Sequence, residues 1–140
     1  MFAMKTSLQM AFASSLAMFI LFSAQVSMGE DLSLPKPAYK GTITVEEALK
    51  ARRTHRSFSA RAVTLEQFSQ MLWAAYGVTA KNFGLYLKTA PSAGALYPLD
   101  IYGVVGEKTV ETLESGVYHY RPDDHSINLL KKGDLRVGLA

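Results

Sequence analysis

The sequence of 140 residues contains no cysteine, and this absence excludes several classes of site. A disulfide framework, a thiolate zinc site, an iron–sulfur cluster and a cysteine nucleophile all need that residue, and so does a lipobox anchor. The sequence also lacks a Walker phosphate loop and a G-x-G-x-x-G motif. Phosphate or nucleotide binding, if present, must therefore use another arrangement of donors.

The chain also carries little net charge. Fifteen basic and 12 acidic side chains give a formal charge of +3, which is too balanced to indicate a nucleic-acid partner. With 49% hydrophobic and 19% charged residues, the composition is that of a globular protein and excludes intrinsic disorder. The length suits one domain.

The N-terminal segment contains a long uncharged run. Lys5 precedes residues 6–29, which carry no charge, and Ser27-Met28-Gly29 places small residues at positions −3 and −1 of a cut after Gly29. Residues 1–29 are therefore predicted to be a cleaved signal peptide, and the mature protein would be exported to the periplasm or the extracellular space. Two alternatives are an uncleaved membrane anchor and a misassigned start codon.

The remaining chain divides into a linker, residues 30–43, and a domain, residues 44–140. Two capping boxes open helices in this domain, Thr44-x-x-Glu47 and Thr64-x-x-Gln67. The first predicts a short helix from Val45 to about Arg53. The second predicts a longer helix that ends at Gly77 and carries an apolar stripe formed by Leu65, Phe68, Met71, Leu72 and Ala75.

Strand patterns follow the helices. Residues 82–87 are predicted to form a short extended piece, and residues 99–105 a buried strand. Residues 116–120 and 125–130 flank a turn and predict a hairpin. Gly133-Asp134 then predicts another helix with Asp134 as its N-cap. Three strands make a thin sheet against two helices, so we expect the domain to be incomplete.

The first candidate site is the basic run Arg52-Arg53-Thr54-His55-Arg56. Arginine offers a planar fork of donors that matches phosphate oxygens, so three guanidiniums beside a hydroxyl suit an anion. The alternative is a solvated helix end, where the helix dipole favours cations.

The second candidate site is Pro91-Ser92-Ala93-Gly94-Ala95-Leu96-Tyr97-Pro98. Small side chains let a ligand approach the backbone, and successive amides can cradle an anion or a polar ring edge. The alternative is an ordinary loop with a tight turn.

Other polar and aromatic residues are predicted to be structural. His55, His119 and His125 lack the spacing of metal ligands, and no carboxylate trio accompanies them, so no metal site is expected. Trp73 and Tyr76 on the second helix are expected to lie in the core or on a dimer surface. No acid–base pair is evident, and no catalytic side chain is assigned.

The order of the motifs resembles one branch of a known family. The sequence contains, in this order, LPKP, TVEEALKARRTHRSF, LEQFSQMLWAAYGVT, TAPSAGALYPLDIYGVVG, GVYHYRPDDH and GDLR. From about Leu34 to Ala140, this arrangement resembles the SagB-type dehydrogenase branch of the nitroreductase family. The resemblance implies an α+β, nitroreductase-like flavoprotein that binds FMN, as a homodimer with the flavin at the subunit interface.

The resemblance also implies the site residues. The family's first flavin-binding stretch, which holds the phosphate, the ribityl chain and the polar ring edge, is matched by Arg52, Arg53, Thr54 and Arg56. The second stretch, which typically comes from the other subunit and lies against the flavin, is matched by Ser92, Ala93, Gly94 and Tyr97. Thr54 stands where many relatives have serine, and the hydroxyl is kept.

These expectations define a function and two alternatives. The resemblance implies an FMN-dependent oxidoreductase that acts on a small molecule or a modified peptide, since the branch oxidises azoline rings to azoles. In such enzymes the cofactor carries the redox chemistry, and the protein supplies binding and electrostatics. Family members continue beyond the position of Ala140, so one alternative is a truncated non-catalytic remnant. The other alternative is a general anion-binding module.

Overall fold

The computed structural model describes residues 31–139, which form an α+β arrangement. A four-stranded antiparallel sheet has the strand order β1-β6-β5-β4, and a separate hairpin joins β2 to β3. The strands are β1 (Leu32–Ser33), β2 (Val78–Asn82), β3 (Leu85–Lys88), β4 (Ile101–Val105), β5 (Gly116–Arg121) and β6 (Ser126–Lys132). The helices are α1 (Val45–Ala51) and α2 (Leu65–Tyr76), with 3₁₀ turns at Ala93–Ala95 and Arg136–Leu139.

Both predicted helices are confirmed, because their start signals are local. In α1, Thr44 Oγ1 accepts from the Glu47 amide at 3.2 Å, and Glu47 Oε2 accepts from the Thr44 amide at 2.8 Å. Thr64 and Gln67 form the same reciprocal pair at the start of α2. Helix α1 ends slightly earlier than predicted, since Arg52 leaves the helical region with φ −55° and ψ 122°.

Helix α2 covers one face of the sheet. Phe68 and Leu72 are buried as predicted, whereas Met71 is 55% exposed, so the apolar stripe is narrower than the sequence indicated. Gly103 on β4 permits this packing, because a Cβ at that position would lie 2.6 Å from Phe68 Cζ. The core contains Leu34, Phe68, Leu72, Val105, Val110, Tyr118, Tyr120 and Ile127.

The segment predicted as a linker, residues 30–43, is part of the packed domain from β1 onward. Strand β1 pairs antiparallel with β6, and Leu34 is buried in the core. Further along, the Ala38 amide donates to Gln70 Oε1 at 2.8 Å, and Gln70 Nε2 donates to the Ala38 carbonyl at 3.2 Å. Within the described residues, the packed domain therefore includes β1 and the segment before Thr44, because these long-range contacts hold a proline-containing segment in place.

A buried polar network ties this N-terminal segment to α2 and the β5–β6 hairpin. Ser69 Oγ donates to the Pro35 carbonyl at 2.6 Å, and His125 Nε2 lies 2.9 Å from the same carbonyl. A carbonyl can only accept, so Nε2 carries the proton, and Nδ1 accepts from the Tyr120 hydroxyl at 2.8 Å. Burial raises the pKa of Tyr120 to about 12. His125 is structural, as predicted.

Two further sequence expectations need correction. Residues 82–87, expected to form a single extended piece, instead contain the turn of the β2–β3 hairpin, with Phe83 at φ 46° and Gly84 at φ 80°, between the end of β2 and most of β3. The helix expected after Gly133 is a short 3₁₀ turn over Arg136–Leu139, although Asp134 Oδ1 accepts from the Arg136 amide as a cap would.

The predicted signal peptide, residues 1–29, lies outside the described residues. Within residues 31–139, no helix has the length and apolar character that crossing a bilayer requires.

Candidate functional site

The basic run lies on an exposed segment after α1. Helix α1 contains no buried residue, and every residue of the range 52–60 is exposed. Arg53 Nη1 donates to the carbonyls of Lys50 at 3.0 Å and Arg52 at 2.8 Å, so it caps the end of the helix. Arg53 thus has a structural contact as well as the predicted binding role.

Arg52 and Arg56 differ from Arg53 in their contacts. Among residues 31–139, neither guanidinium takes part in a hydrogen bond or ion pair, and all five ion pairs lie elsewhere. Thr54 is exposed beside them. Their donors are therefore available to an anion, and the five N–H groups of each guanidinium suit phosphate oxygens.

The second candidate segment forms a compact turn. Ser92 Oγ accepts from the Tyr97 amide at 2.8 Å and closes the loop. Inside it, Gly94 has φ 62°, Ala95 φ 54° and Tyr97 φ 45°. Left-handed backbone at non-glycine residues costs on the order of 1–3 kcal/mol each and is frequent at ligand sites.

The turn presents an open backbone surface. Ala93 and Gly94 are exposed, and a Cβ at Gly94 would meet only Leu96 Cγ, at 4.0 Å. No hydrogen bond within residues 31–139 uses the amides of Ala93 and Gly94. Free successive amides of this kind can donate to an anion or to a polar ring edge.

An aromatic cluster fixes the far end of the turn. The Tyr97 hydroxyl accepts from the Lys88 amide at 3.1 Å, and the Tyr97 ring packs edge-on against Tyr76 at a centroid distance of 6.1 Å. The Tyr76 hydroxyl accepts from the Leu99 amide at 3.1 Å. The cluster therefore anchors the turn to both β3 and α2.

Among residues 31–139, no hydrogen bond or ion pair joins the two candidate segments, residues 52–56 and residues 92–97. Each segment presents donors, and the region described shows no group of His, Asp or Glu side chains that could hold a metal ion. The donors of each segment suit an anionic, planar molecule.

A cleft that the sequence analysis missed lies beside the turn. It has a volume of about 260 Å³ and includes Lys88 and His119, whose Nε2 lies 3.4 Å from Asp100 Oδ1. These residues come from three separated strands or loops, so no short motif contains them. The alternation of buried and less buried residues along β5 was the available sequence signal for this cleft. Tyr118 and Tyr120 are buried, so His119 lies on the opposite face of the strand.

Comparison with solved structures defines the fold class. A crystal structure of a protein from Ralstonia eutropha JMP134, assigned as a nitroreductase, matches with a TM-score of 0.62 and 30% identity, over 81% of this chain and 49% of that chain. A second, from Anabaena variabilis ATCC 29413, matches with a TM-score of 0.52 and 28% identity, over 83% of this chain and 21% of that chain. The fold is the α+β fold of nitroreductases, as the sequence predicted.

Sequence comparison gives the family. The Nitroreductase family profile matches residues 49–136, more than half of the chain. A protein from Methanocaldococcus jannaschii that is assigned as a nitroreductase is 42% identical over 100 residues, which cover 71% of this chain and 48% of the relative. The chain belongs to the nitroreductase family. It spans about half the length of the Methanocaldococcus and Ralstonia proteins and 21% of the Anabaena protein.

Proposed function

We propose that the protein is an FMN-dependent oxidoreductase of the SagB-type branch. Membership of the nitroreductase family supports oxidoreductase chemistry, and members of this family generally use a flavin. When bound, the flavin supplies the redox chemistry by accepting and returning electrons or a hydride. The residues of this chain bind the cofactor, orient it and set the electrostatic field around it.

One observation carries the proposal: the turn at residues 92–97 exposes two unpaired amides around a glycine with open space beside it. Three residues of this loop have a left-handed backbone conformation, and two of its amides are free. Such a loop suits ligand binding better than packing. Under this proposal Ser92, Ala93, Gly94 and Tyr97 lie against the flavin.

The exposed arginines fit the other part of the cofactor. Arg52 and Arg56 have no carboxylate partner among the described residues, so binding a phosphate would not break an existing ion pair. Arg53 and Thr54 complete the donor set beside the end of α1. Guanidinium donors near the polar ring edge would also stabilise the reduced, anionic flavin.

The donors left free on the two segments support a homodimer with the flavin between subunits. Since no polar contact joins residues 52–56 to residues 92–97 among the described residues, we propose that a second copy supplies one of the two segments. Nitroreductase family proteins are commonly homodimers. A two-fold dimer would build two equivalent sites, each from both chains.

The direct test is an FMN titration followed by flavin fluorescence. Arg56→Ala is the informative variant, since Arg56 makes no contact in the described structure whose loss would disturb the fold. We expect it to weaken FMN binding about tenfold or more, the effect of one charge-assisted hydrogen bond. Arg61→Ala, also exposed, is the matched control and should bind FMN as the unaltered chain does.

Competition separates the proposal from its alternatives. An FMN-specific site retains FMN in the presence of millimolar inorganic phosphate, whereas a general anion-binding module releases it. Failure of the full chain to bind FMN would contradict the proposal and favour a non-catalytic remnant.

The substrate is proposed from the branch. A small molecule or a modified peptide would be oxidised, with an azoline-containing peptide as the reference substrate. Conversion of azoline to azole removes two hydrogens, so a flavin-loaded preparation should show a product mass about 2 Da lower and a bleached flavin under anaerobic conditions. A chain that binds FMN without this change would contradict the assigned branch, but not the flavin site.

Export remains part of the proposal. Cleavage after Gly29 would leave a mature chain beginning at Glu30, and N-terminal sequencing of the secreted protein tests this. A membrane-bound product that still contains residues 6–29 would indicate the anchor instead.

A further inference from the structure

The cleft beside the turn contains a cation with no counter-ion. Lys88 is half-buried at the end of β3 and lines the cavity of about 260 Å³. Its Nζ lies 4.3 Å from the ring centroid of Tyr76 and 5.4 Å from that of Tyr97. No carboxylate among residues 31–139 lies within ion-pair distance of this ammonium group.

Aromatic faces hold the ammonium group without neutralising it. Cation–π contacts offset part of the cost of removing a charge from water, on the order of 0.5–2 kcal/mol. They leave the three N–H donors of Lys88 without an oxygen acceptor in the part of the chain described. The cleft therefore favours a ligand that brings one negative charge.

Two other charged side chains of the cleft, Arg121 and Asp100, already have partners, whereas Asp123 has no ion-pair partner among residues 31–139. Arg121 pairs with Asp31 at 2.7 Å and with Asp124 at 3.4 Å. Asp100 lies 3.4 Å from His119. Since the fork of Arg121 is taken by carboxylates, Lys88 is the cation through which the cleft can recognise an anion.

The size and walls of the cleft restrict that anion. Tyr76, Leu99, Ile101 and Pro122 supply apolar surface. The volume lies below the range that takes drug-sized ligands, about 300–1,000 Å³. A phosphate dianion would find one available cation here and the carboxylates of Asp100 and Asp123 nearby, so the cleft disfavours it.

We infer that this cleft binds a small organic monocarboxylate, with Lys88 Nζ as the donor to the carboxylate and Tyr76, Leu99 and Pro122 against its apolar body. The ligand would sit beside the proposed cofactor turn, because the Lys88 amide also donates to the Tyr97 hydroxyl. The inference concerns a second site and does not require a bound flavin.

The experiment uses benzoate and its neutral analogue benzamide as probes of the full chain without FMN. Binding is measured by calorimetry, with NMR shift changes to locate it. We expect benzamide to bind about tenfold more weakly than benzoate, because it cannot accept a charge-assisted hydrogen bond at the carboxylate position. Shift changes should centre on Tyr76, Lys88 and Leu99.

Substitutions of two lysines that both lie over tyrosine rings test whether Lys88 is the donor to the carboxylate. Lys88→Gln should weaken benzoate binding about tenfold and leave benzamide binding nearly unchanged, and Lys88→Arg should restore most of the loss. Lys81→Gln is the control, since Lys81 Nζ also lies over a tyrosine ring, that of Tyr86 at 4.7 Å, but outside the cleft. If Lys88→Gln disturbs folding, the Lys88→Arg variant carries the comparison.

Three results would overturn the inference: no benzoate binding up to about 10 mM, a limit that corresponds to negligible affinity; equal affinity for benzoate and benzamide; or equal losses in Lys88→Gln and Lys81→Gln. Because the titration omits FMN, these outcomes are independent of the flavin test. A chain that binds benzoate but not FMN would contradict only the proposed function.

Discussion

Two regions of the domain are built in opposite ways. The sheet, α2 and the N-terminal segment bury their apolar side chains together, with Ile127 fully buried and Tyr120 1% exposed. Residues 41–60, which include α1 and the arginines, contain no buried residue. Both regions begin their helices with the same capping box, so the difference lies in tertiary contacts and not in local sequence signals.

The comparison separates scaffold from binding segments. The scaffold satisfies most of its buried polar groups internally, as in the Ser69–His125–Tyr120 network, with Asn128 Oδ1 as an exception among the described residues. The arginine segment and the 92–97 turn leave donors free, and no other part of residues 31–139 hydrogen-bonds to these donors. Segments held ready for a cofactor and a second subunit would show this pattern, because contacts they make in the assembly are absent from one chain.

The largest expected effect is a difference in the free energy of unfolding between two leucine substitutions, one in each helix. Leu72→Ala in α2 removes a side chain that is 6% exposed and should lower the free energy of unfolding by about 2–5 kcal/mol. Leu49→Ala in α1, where the side chain is 68% exposed, should change it by less than about 0.5 kcal/mol. Denaturant unfolding measures both, and similar losses would contradict the distinction between the regions.

A smaller difference in the free energy of unfolding is expected between two serine substitutions. Ser69→Ala removes the hydroxyl that donates to the Pro35 carbonyl and should cost about 1–2 kcal/mol, since the network around His125 loses a member. Ser57→Ala lies in the exposed segment and should be neutral. An unchanged stability in Ser69→Ala would show that the N-terminal segment is not held by this network.

The two capping boxes have nearly the same local chemistry, so removing the threonine side chain from each compares the two regions directly. Thr64→Ala should lower the global free energy of unfolding by about 1 kcal/mol, because α2 is part of the core. Thr44→Ala should instead increase amide hydrogen exchange in α1 without moving the global transition. A global loss in Thr44→Ala would mean that α1 contributes to the cooperative core.

The last expected effect is a loss of stability at high pH that is linked to ionisation of Tyr120. Burial raises its pKa from 10.0 to about 12, so the unfolded chain ionises this phenol before the folded protein does. Stability linked to Tyr120 is complete below pH 10 and should be lost as the pH rises from 10 to about 12.

Burial also raises the pKa of Tyr118, so absorbance at 295 nm should show more than one late-titrating tyrosine, and Tyr120→Phe should remove the component near pH 12. A uniform titration near pH 10 would contradict the buried environment of this hydroxyl.

The sequence predicted those parts of the fold that local chemistry determines. Both helices followed from Thr44 and Thr64, and the β5–β6 hairpin followed from alternation and its turn. Strand β1 was missed because a two-residue edge strand is fixed by pairing with β6 and by Leu34 in the core. Only part of the β2–β3 hairpin was predicted. Its turn places Phe83 at positive φ, a position where asparagine or glycine is the usual sequence signal.

The candidate site residues stay a prediction from short motifs. Arg52, Arg56 and the turn around Gly94 stand out in the sequence, and the structure leaves Arg52, Arg56 and Gly94 exposed. The Lys88 cleft could not be found this way, because β3, β4 and β5 come together there only through long-range folding. No local pattern indicates that a half-buried lysine lies over two tyrosines.

The most direct test of the central claim, that arginines of one chain and the turn of another hold the flavin together, is subunit complementation. Arg56→Ala and Gly94→Val chains carry different tags, are co-expressed, and yield a doubly purified hybrid. Gly84→Val is the control, since this glycine also has positive φ and open space. We predict that each parent retains much less flavin than the unaltered chain and that the hybrid dimer retains about one flavin, because one site is then intact. A flavin-free hybrid, or parents that keep full flavin, would contradict the account.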